Sequence, residues 1–168
     1  QLYKRLNRPH ADRLDLLDKL KEVAFSRDDL YLEYVTLLNQ LGRYEEAIHM
    51  IDARRFHPWE GGEGKVPAQY QLARVELVKA CLKAGENEKA LDLIEECFIY
   101  PHNLGEGKLY GAQENDFNYY KACALQALGR EAEARELFLA ASTGNSQPAA
   151  AMYYNDQKPD KIFYQGLA

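Results

Sequence analysis

The sequence has few of the residues that define several common classes of protein. It contains only three cysteines in 168 residues, an odd number that is too small for a disulfide framework. Its formal net charge is -5, and its basic residues are interleaved with acidic ones, so it lacks the clustered cations that bind nucleic acid. No apolar run has membrane-spanning length, and the first residues lack the pattern of a signal peptide. We therefore expect a cytoplasmic protein without nucleic-acid or membrane partners, in which Cys81, Cys97 and Cys123 are buried free thiols.

The residue patterns of common catalytic and metal sites are also missing. His57 and His102 lie 45 residues apart, and no Cys-x-x-Cys pair accompanies the thiols, so a zinc site is not expected. Val66 and Leu109 stand where a phosphate-binding loop would need Ser or Thr after Gly-Lys. No Ser/His/Asp or Cys/His order suggests a nucleophile. The sequence therefore predicts a non-catalytic protein with no metal and no cofactor.

Strand-like alternation is absent as well, and an internal helical repeat takes its place. Three segments share a helical run, a Gly and, five residues later, an Ala. The glycines are Gly42, Gly85 and Gly129, spaced by 43 and 44 residues, and the alanines are Ala47, Ala90 and Ala134. A glycine can end a helix in the left-handed conformation, and a small alanine lets the next helix pack closely. The pattern predicts an all-α fold with at least six helices in antiparallel hairpins, stacked into a right-handed superhelical solenoid.

The segment Gly42-Arg-Tyr-Glu-Glu-Ala47, followed by Ile51, resembles a tetratricopeptide repeat, and the segments at Gly85 and Gly129 match it. The resemblance covers roughly residues 29–168. The standard unit has about 34 residues, so the additional length here falls in the linkers between hairpins. The resemblance implies a helical-repeat protein that binds another protein or a peptide in its inner groove.

We expect one repeat domain over residues 1–168. Residues 1–28 would form a capping helical region, residues 29–66, 67–109 and 110–158 would form repeats with long linkers, and residues 159–168 would begin a truncated further repeat. Within the capping region the sequence predicts one amphipathic helix over residues 12–25. Its apolar positions are Leu14, Leu16, Leu17, Leu20, Val23 and Phe25. Because the sequence starts without Met and stops within an apolar run, we interpret it as a piece of a longer protein.

A narrower resemblance is carried by the segments DDLYLEYVTLLNQLGRYEEA, FHPWEGGEGKV, LGEGKLYGAQEN and MYYNDQ. Together they resemble the repeat region of large bacterial proteins in which a β-rich, mutarotase-like domain of unknown function precedes the repeats. That resemblance implies a context linked to carbohydrate.

Two linkers contain nearly the same glycine-rich sequence. Pro58 aligns with Pro101, and Gly62-Glu63-Gly64-Lys65 aligns with Gly105-Glu106-Gly107-Lys108. The repetition has two explanations: a tight turn that the fold requires, or a composite binding surface with outward-facing backbone N–H groups and carboxylates near an aromatic ring. The loop residues that we expect to contact a ligand or partner are Trp59, Glu60, Glu63, Lys65, Glu106, Lys108 and, in the third linker, Asn155 and Asp156.

The repeat register also predicts residues of the inner groove. They are Thr36, Asn39, Lys79, Tyr119 and Gln126. Family members that clamp a carboxylate use Lys and Asn at fixed positions, where this sequence has Leu32 with Thr36 and Val75 with Lys79. The clamp pattern is thus broken, which disfavours a chaperone-type function. The sequence favours a scaffold for protein interaction or domain docking within a larger bacterial protein. The partner would be a protein, a peptide or another domain of the same chain. The alternative is a glycan-binding surface made by the two glycine-rich loops, serving a carbohydrate-active partner domain.

Overall fold

The computed structural model describes residues 2–149 and 156–168, and all regular structure in these ranges is helical. The α-helices are α1 (Leu2–Arg5), α2 (His10–Lys19), α3 (Lys21–Phe25), α4 (Asp28–Gln40), α5 (Tyr44–Asp52), α6 (Lys65–Ala84), α7 (Asn87–Cys97), α8 (Asn115–Ala127), α9 (Glu131–Ala141) and α10 (Pro159–Leu167), with a 3-10 helix at His102–Leu104. The expected all-α fold is confirmed over the described ranges. Within them, no helix combines the length and the hydropathy needed to cross a membrane.

Three helices end in the same hydrogen-bonded turn, at the glycines that the repeat pattern identified. Gly42, Gly85 and Gly129 have φ values of 75°, 78° and 75°. At the first turn, the Gly42 N–H donates to the Asn39 carbonyl and the Arg43 N–H donates to the Leu38 carbonyl. The same two bonds recur at the other two glycines, so each turn is a Schellman motif. The expectation that these glycines end helices is confirmed.

The alanines that follow these turns are buried. Ala47 and Ala90 have no exposed surface, and Ala134 is 1% exposed. They lie in α5, α7 and α9, the helices that follow the three turns. A larger side chain at any of these positions would have to displace a neighbouring residue. Two of the three thiols, Cys81 and Cys97, are buried and unoxidised. Burial raises the pKa of the Cys97 thiol to about 12, whereas Cys123 is only partly buried.

The N-terminal region differs from the single amphipathic helix expected over residues 12–25. The helix breaks at Leu20, whose φ and ψ of -117° and 29° lie outside the helical range. The break turns α3 so that Ala24 is fully buried, while Leu20 and Val23 are 50% and 58% exposed. The expectation of one continuous helix with Leu20 and Val23 on its apolar face was therefore wrong.

The chain divides into two compact units, and neither is continuous in sequence. Unit 1 is Gln1–Ala73 with Pro101–Glu106, and unit 2 is Arg74–Tyr100 with Gly107–Ala168. The first boundary falls within α6. The core of unit 1 contains residues of α4 and α5 together with Phe56, Val66 and Leu104. We call residues 53–64, between α5 and α6, the first linker and residues 98–114, between α7 and α8, the second linker. A short piece of the second linker, Pro101–Glu106, is thus part of a core built mainly from the first 73 residues.

Unit 2 has its own core, formed by residues of α6, α7 and α8. The Phe98 and Phe117 rings meet edge to face at 5.7 Å. The buried Asn115 side chain, at the start of α8, donates to the carbonyls of Ala141 and Thr143 at 2.8 Å each. These bonds use carbonyls at the C-terminal end of α9 that have no partner within that helix. They fix α8 and α9 against each other.

Candidate functional site

Unit 1 contains a cleft of about 810 Å³ between α4, the start of α6 and the first linker. Below, "the cleft" means this cavity. It is lined by Lys4, Arg27, Asp28, Asp29, Leu32, Glu33, Thr36, His57, Pro58, Trp59, Glu60, Lys65, Ala68 and Gln69. Its lining mixes the indole of Trp59, the imidazole of His57, aliphatic carbons and charges of both signs. Such a surface suits a ligand that carries both apolar and polar groups.

Asp28, at the first position of α4, connects the cleft wall to the first linker. Its carboxylate accepts hydrogen bonds from the Arg54 side chain at 2.6 Å and from the His57 backbone N–H at 2.9 Å. Burial alone would raise the pKa of Asp28, but these bonds outweigh burial and lower it. The Arg54 guanidinium also lies over the Tyr31 ring at 4.3 Å. Asp28 therefore holds residues 54–57 against the start of α4.

Glu33, about one turn further along α4, is also paired with basic side chains. It forms an ion pair with the buried Arg13 of α2, and its second oxygen lies 3.7 Å from the Lys4 ammonium. Arg27 and Asp29 form a bidentate pair, and hydrogen bonding from Arg27 lowers the pKa of Asp29. The carboxylates along the α4 wall are thus each paired with a basic side chain.

The first linker turns tightly before α6 begins. Gly61 and Gly64 have φ values of 74° and 71°, and a Cβ atom at the buried Gly62 would overlap the indole of Trp59. The Lys65 ammonium donates back to the Gly61 carbonyl. Here glycine is needed twice for a left-handed backbone and once for close contact with a ring. The result places Trp59 in the cleft wall, with part of its surface packed against the core of unit 1.

The second linker closes over the first. The Asn103 side chain donates to the carbonyls of Ile51 and Arg54, and the Asn103 carbonyl accepts from the Phe56 N–H at 2.7 Å. The Glu106 carboxylate accepts from the Gly64 N–H at 2.7 Å. Because that N–H lies just before α6, Glu106 acts as an N-terminal cap supplied by a distant segment. We refer to residues 101–106 as the clasp.

Five of the predicted loop residues come together in unit 1. Trp59, Glu60 and Lys65 line the cleft, while Glu63 and Glu106 line a smaller cavity of about 260 Å³ that shares Trp59 and Glu60 with it. The other loop residues are not part of this site. Lys108 lies in unit 2 and pairs with Glu114, the partly buried Asp156 also belongs to unit 2, and Asn155 lies outside the described residues.

The two Gly-Glu-Gly-Lys segments differ in backbone, although their sequences are identical. In the first segment Gly64 has positive φ and α6 begins at Lys65. In the second, the first glycine, Gly105, has positive φ, and α8 begins only at Asn115. Of the two explanations for the repeated sequence, the composite surface has outward-facing backbone N–H groups; at Gly64 this feature is wrong, because its N–H is bonded to Glu106.

The predicted groove residues lie in both units. In unit 1, Thr36 lines the cleft, whereas Asn39 is 4% exposed and donates to the backbone and side-chain oxygens of Gln69. Asn39 therefore supports the cleft wall through Gln69 and does not line it. The remaining three groove residues belong to unit 2. Lys79 pairs with Glu76, Tyr119 packs among aromatic rings and Gln126 is exposed on α8.

Sequence reasoning missed several residues of the cleft. Asp29, Glu33 and Gln69 were not among the candidates, although Asp29, Glu33 and Thr36 lie on one face of α4 at helical spacing. Following that spacing outward from Thr36 would have found the two acids. Gln69 gave no such signal, because its position depends on how α6 packs.

No protein-family model matches the sequence, and no solved structure matches the fold significantly. Among the residues that the structure describes, no three His, Cys, Asp or Glu side chains form a group that could hold a metal ion.

Proposed function

We propose that this chain is a tetratricopeptide-type helical-repeat module that binds an extended segment of a partner protein, or of another domain of the same chain, in the cleft of unit 1. The proposal includes no catalytic role. It takes its main support from the cleft itself, which brings the predicted loop residues Trp59, Glu60 and Lys65 beside Thr36 of the predicted groove. A volume of about 810 Å³ accommodates a few residues of a peptide.

The repeated turns support the tetratricopeptide part of the proposal. Three Schellman motifs at Gly42, Gly85 and Gly129 recur with buried alanines five residues later. One helical hairpin cannot bury its apolar face alone, so a regular series of hairpins favours a stacked solenoid. Buried, unoxidised thiols at Cys81 and Cys97 favour a reducing, cytoplasmic location.

The glycan-binding alternative has less support from the loop contacts. It requires the ammonium of Lys65 to be available to sugar hydroxyls, but Lys65 donates to the Gly61 carbonyl within the loop. The carboxylate of Glu106 accepts one hydrogen bond from Gly64, which leaves fewer acceptor positions for sugar hydroxyls. A protein segment needs fewer such polar partners, because its backbone and apolar side chains can also contact the aliphatic wall of the cleft.

Selection from a phage-displayed library of random peptides tests the proposal. The immobilised chain is the target, and the Ala68→Arg variant, whose new side chain would fill the cleft, is the counter-target. Ala80→Arg places the same side chain on the exposed side of α6 and serves as the matched control. We expect peptides that bind the wild type and Ala80→Arg and are lost on Ala68→Arg. Peptides that bind all three proteins equally, or no retained peptide, would reject the cleft as the site.

A further inference from the structure

The indole of Trp59 is shared by the two cavities of unit 1. It lines the cleft and also the smaller cavity, which we call the indole pocket and define by Pro58, Trp59, Glu60, Gly62, Glu63 and Glu106. The ring packs on Gly62 and against the core, so it is fixed in place while part of it stays open to both cavities. An immobilised aromatic ring in a cavity is a common anchor for a side chain of a binding partner.

The charged side chains that line the indole pocket are all acidic. The indole pocket is lined by three carboxylates and by no Lys or Arg. Glu106 and Glu63 each accept a single backbone N–H, from Gly64 at 2.7 Å and from Gly61 at 3.2 Å. Over the described ranges of the chain, Glu60 has neither a hydrogen bond nor an ion pair. Neutral N–H donors leave the formal charge of these carboxylates uncompensated.

The carboxylates on the opposite wall of the cleft differ from those of the pocket. Asp28 and Glu33 are paired with Arg54 and Arg13, so the protein itself supplies their counter-charge. The pocket around Trp59 is the part of the site that lacks such a counter-charge. A cationic ligand group would supply it and would interact favourably with the indole face at the same time.

We propose that the segment bound in the cleft carries a Lys or Arg side chain that enters the indole pocket. Its cation lies against the Trp59 ring, and its charge is balanced by Glu60, Glu63 and Glu106. This inference rests on the proposed function and specifies its ligand as a basic peptide segment. A neutral glycan would leave the three carboxylates without a cation, so the charge of the pocket disfavours it.

Trp59 is the only tryptophan of the chain, so its fluorescence reports directly on the pocket. Two sets of probes are titrated: peptides from the selection described above, and blocked hexa-arginine, hexa-lysine and hexa-glutamate. We expect selected peptides to contain Lys or Arg. Replacing that residue with neutral citrulline or norleucine should weaken binding by about tenfold. Hexa-arginine and hexa-lysine should change the Trp59 emission, and hexa-glutamate should not.

The Glu60→Gln/Glu63→Gln double variant should weaken the basic peptides by about tenfold and reduce the salt dependence of binding. The matched control is Glu22→Gln/Glu45→Gln, which removes two exposed carboxylates of unit 1 outside both cavities. Control and wild type should bind equally.

The results that would reject this inference differ from those that would reject the proposed function. Peptides that need the cleft but show no preference for Lys or Arg would reject this inference and leave the proposed function standing. If the selection yields no peptide, the proposed function fails, and hexa-arginine then tests the pocket alone: an emission change that the double variant weakens supports a basic ligand there, and an unchanged emission rejects it. A neutral oligosaccharide that alters the emission when basic peptides do not would also overturn the proposal.

Discussion

The carboxylate of Glu106 accepts a hydrogen bond from the backbone N–H of Gly64, 42 residues earlier, at 2.7 Å. The bond satisfies an N–H just before α6, where no carbonyl of that helix is available to accept it. It also joins the two linkers within unit 1, so the wall of the cleft that contains Trp59 depends on a residue far along the chain.

Replacing Glu106 with Ala should destabilise unit 1 by about 0.5–2 kcal/mol, the usual cost of removing an N-terminal cap. Glu106→Gln keeps a carbonyl oxygen that can accept the bond, so it should recover most of the loss. Urea unfolding followed by Trp59 fluorescence measures both variants. Glu22→Ala removes an exposed carboxylate from α3 and is the control. Equal unfolding free energies for Glu106→Ala and the control would show that the cap contributes nothing.

Gly105→Ala should cost more stability than Gly42→Ala. Both glycines lie in unit 1 with φ of 75°, so each substitution has the same backbone cost, about 1–2 kcal/mol. A Cβ at Gly42 would meet no atom within 4 Å, whereas at Gly105 it would lie 2.7 Å from the Phe56 carbonyl oxygen. We expect at least about 1 kcal/mol of additional destabilisation for Gly105→Ala from this overlap. Thermal melts that rank the two variants in the opposite order would contradict the close contact of the linkers.

Ala90→Leu should destabilise unit 2 by about 1–3 kcal/mol, because Ala90 has no exposed surface and extra methyl groups would overpack the contact. Ala80→Leu makes the same change at an exposed position of α6 and should have little effect. Circular-dichroism melts of the two variants give the comparison. An unchanged melting temperature for Ala90→Leu would mean that α7 does not pack tightly at this residue.

Asp28 should contribute to the acid sensitivity of unit 1. Its pKa is lowered in the folded state, so its contribution to stability is complete above the unfolded pKa and is lost as the pH falls through the lower folded value. Asp28→Asn should reduce stability at neutral pH by about 1.5–3 kcal/mol, the range for hydrogen bonds to charged groups. Its unfolding free energy should approach that of the wild type at acid pH.

Unfolding free energies measured from about pH 7 to pH 2 test this behaviour. Asp15→Asn, which removes an exposed carboxylate of α2, is measured as the matched control. If the Asp28→Asn curve runs parallel to that of the wild type, the bonds from Arg54 and His57 do not favour the ionised carboxylate.

The parts of the fold that were predictable from sequence are those set by neighbouring residues. A helix that ends at Gly42 needs only a few adjacent residues for its two closing bonds, so the repeat pattern was a reliable guide. The break at Leu20 was not predictable, because Leu20 and Val23 continue the apolar spacing of a helix although both are exposed. Their exposure follows from how α2 and α3 pack on α4, which the local sequence does not specify.

The residues of the candidate site also divide into those that the local sequence identifies and those whose role depends on distant contacts. Trp59 and Glu60 were identifiable because their loop is unusual in composition, and Thr36 because it follows the repeat register. The role of Glu106 was not, since its partner is 42 residues away and the same four-residue sequence at residues 62–65 has another conformation. The four-residue sequence by itself therefore does not determine where the next helix starts.

Because the clasp belongs to unit 1, that unit is complete only after the first residues of unit 2 have been synthesised. When residue 73 leaves the ribosome, Leu104 has not yet emerged, and the core that later buries it to 1% exposure is incomplete. The 27 residues Arg74–Tyr100 emerge before the clasp does. A growing chain therefore carries an unfinished N-terminal unit while α7 is already free to form, and domains otherwise tend to complete folding in their order of emergence. Chaperones that recognise exposed apolar surface have their longest access to unit 1 during this interval, which ends when residue 106 joins the fold.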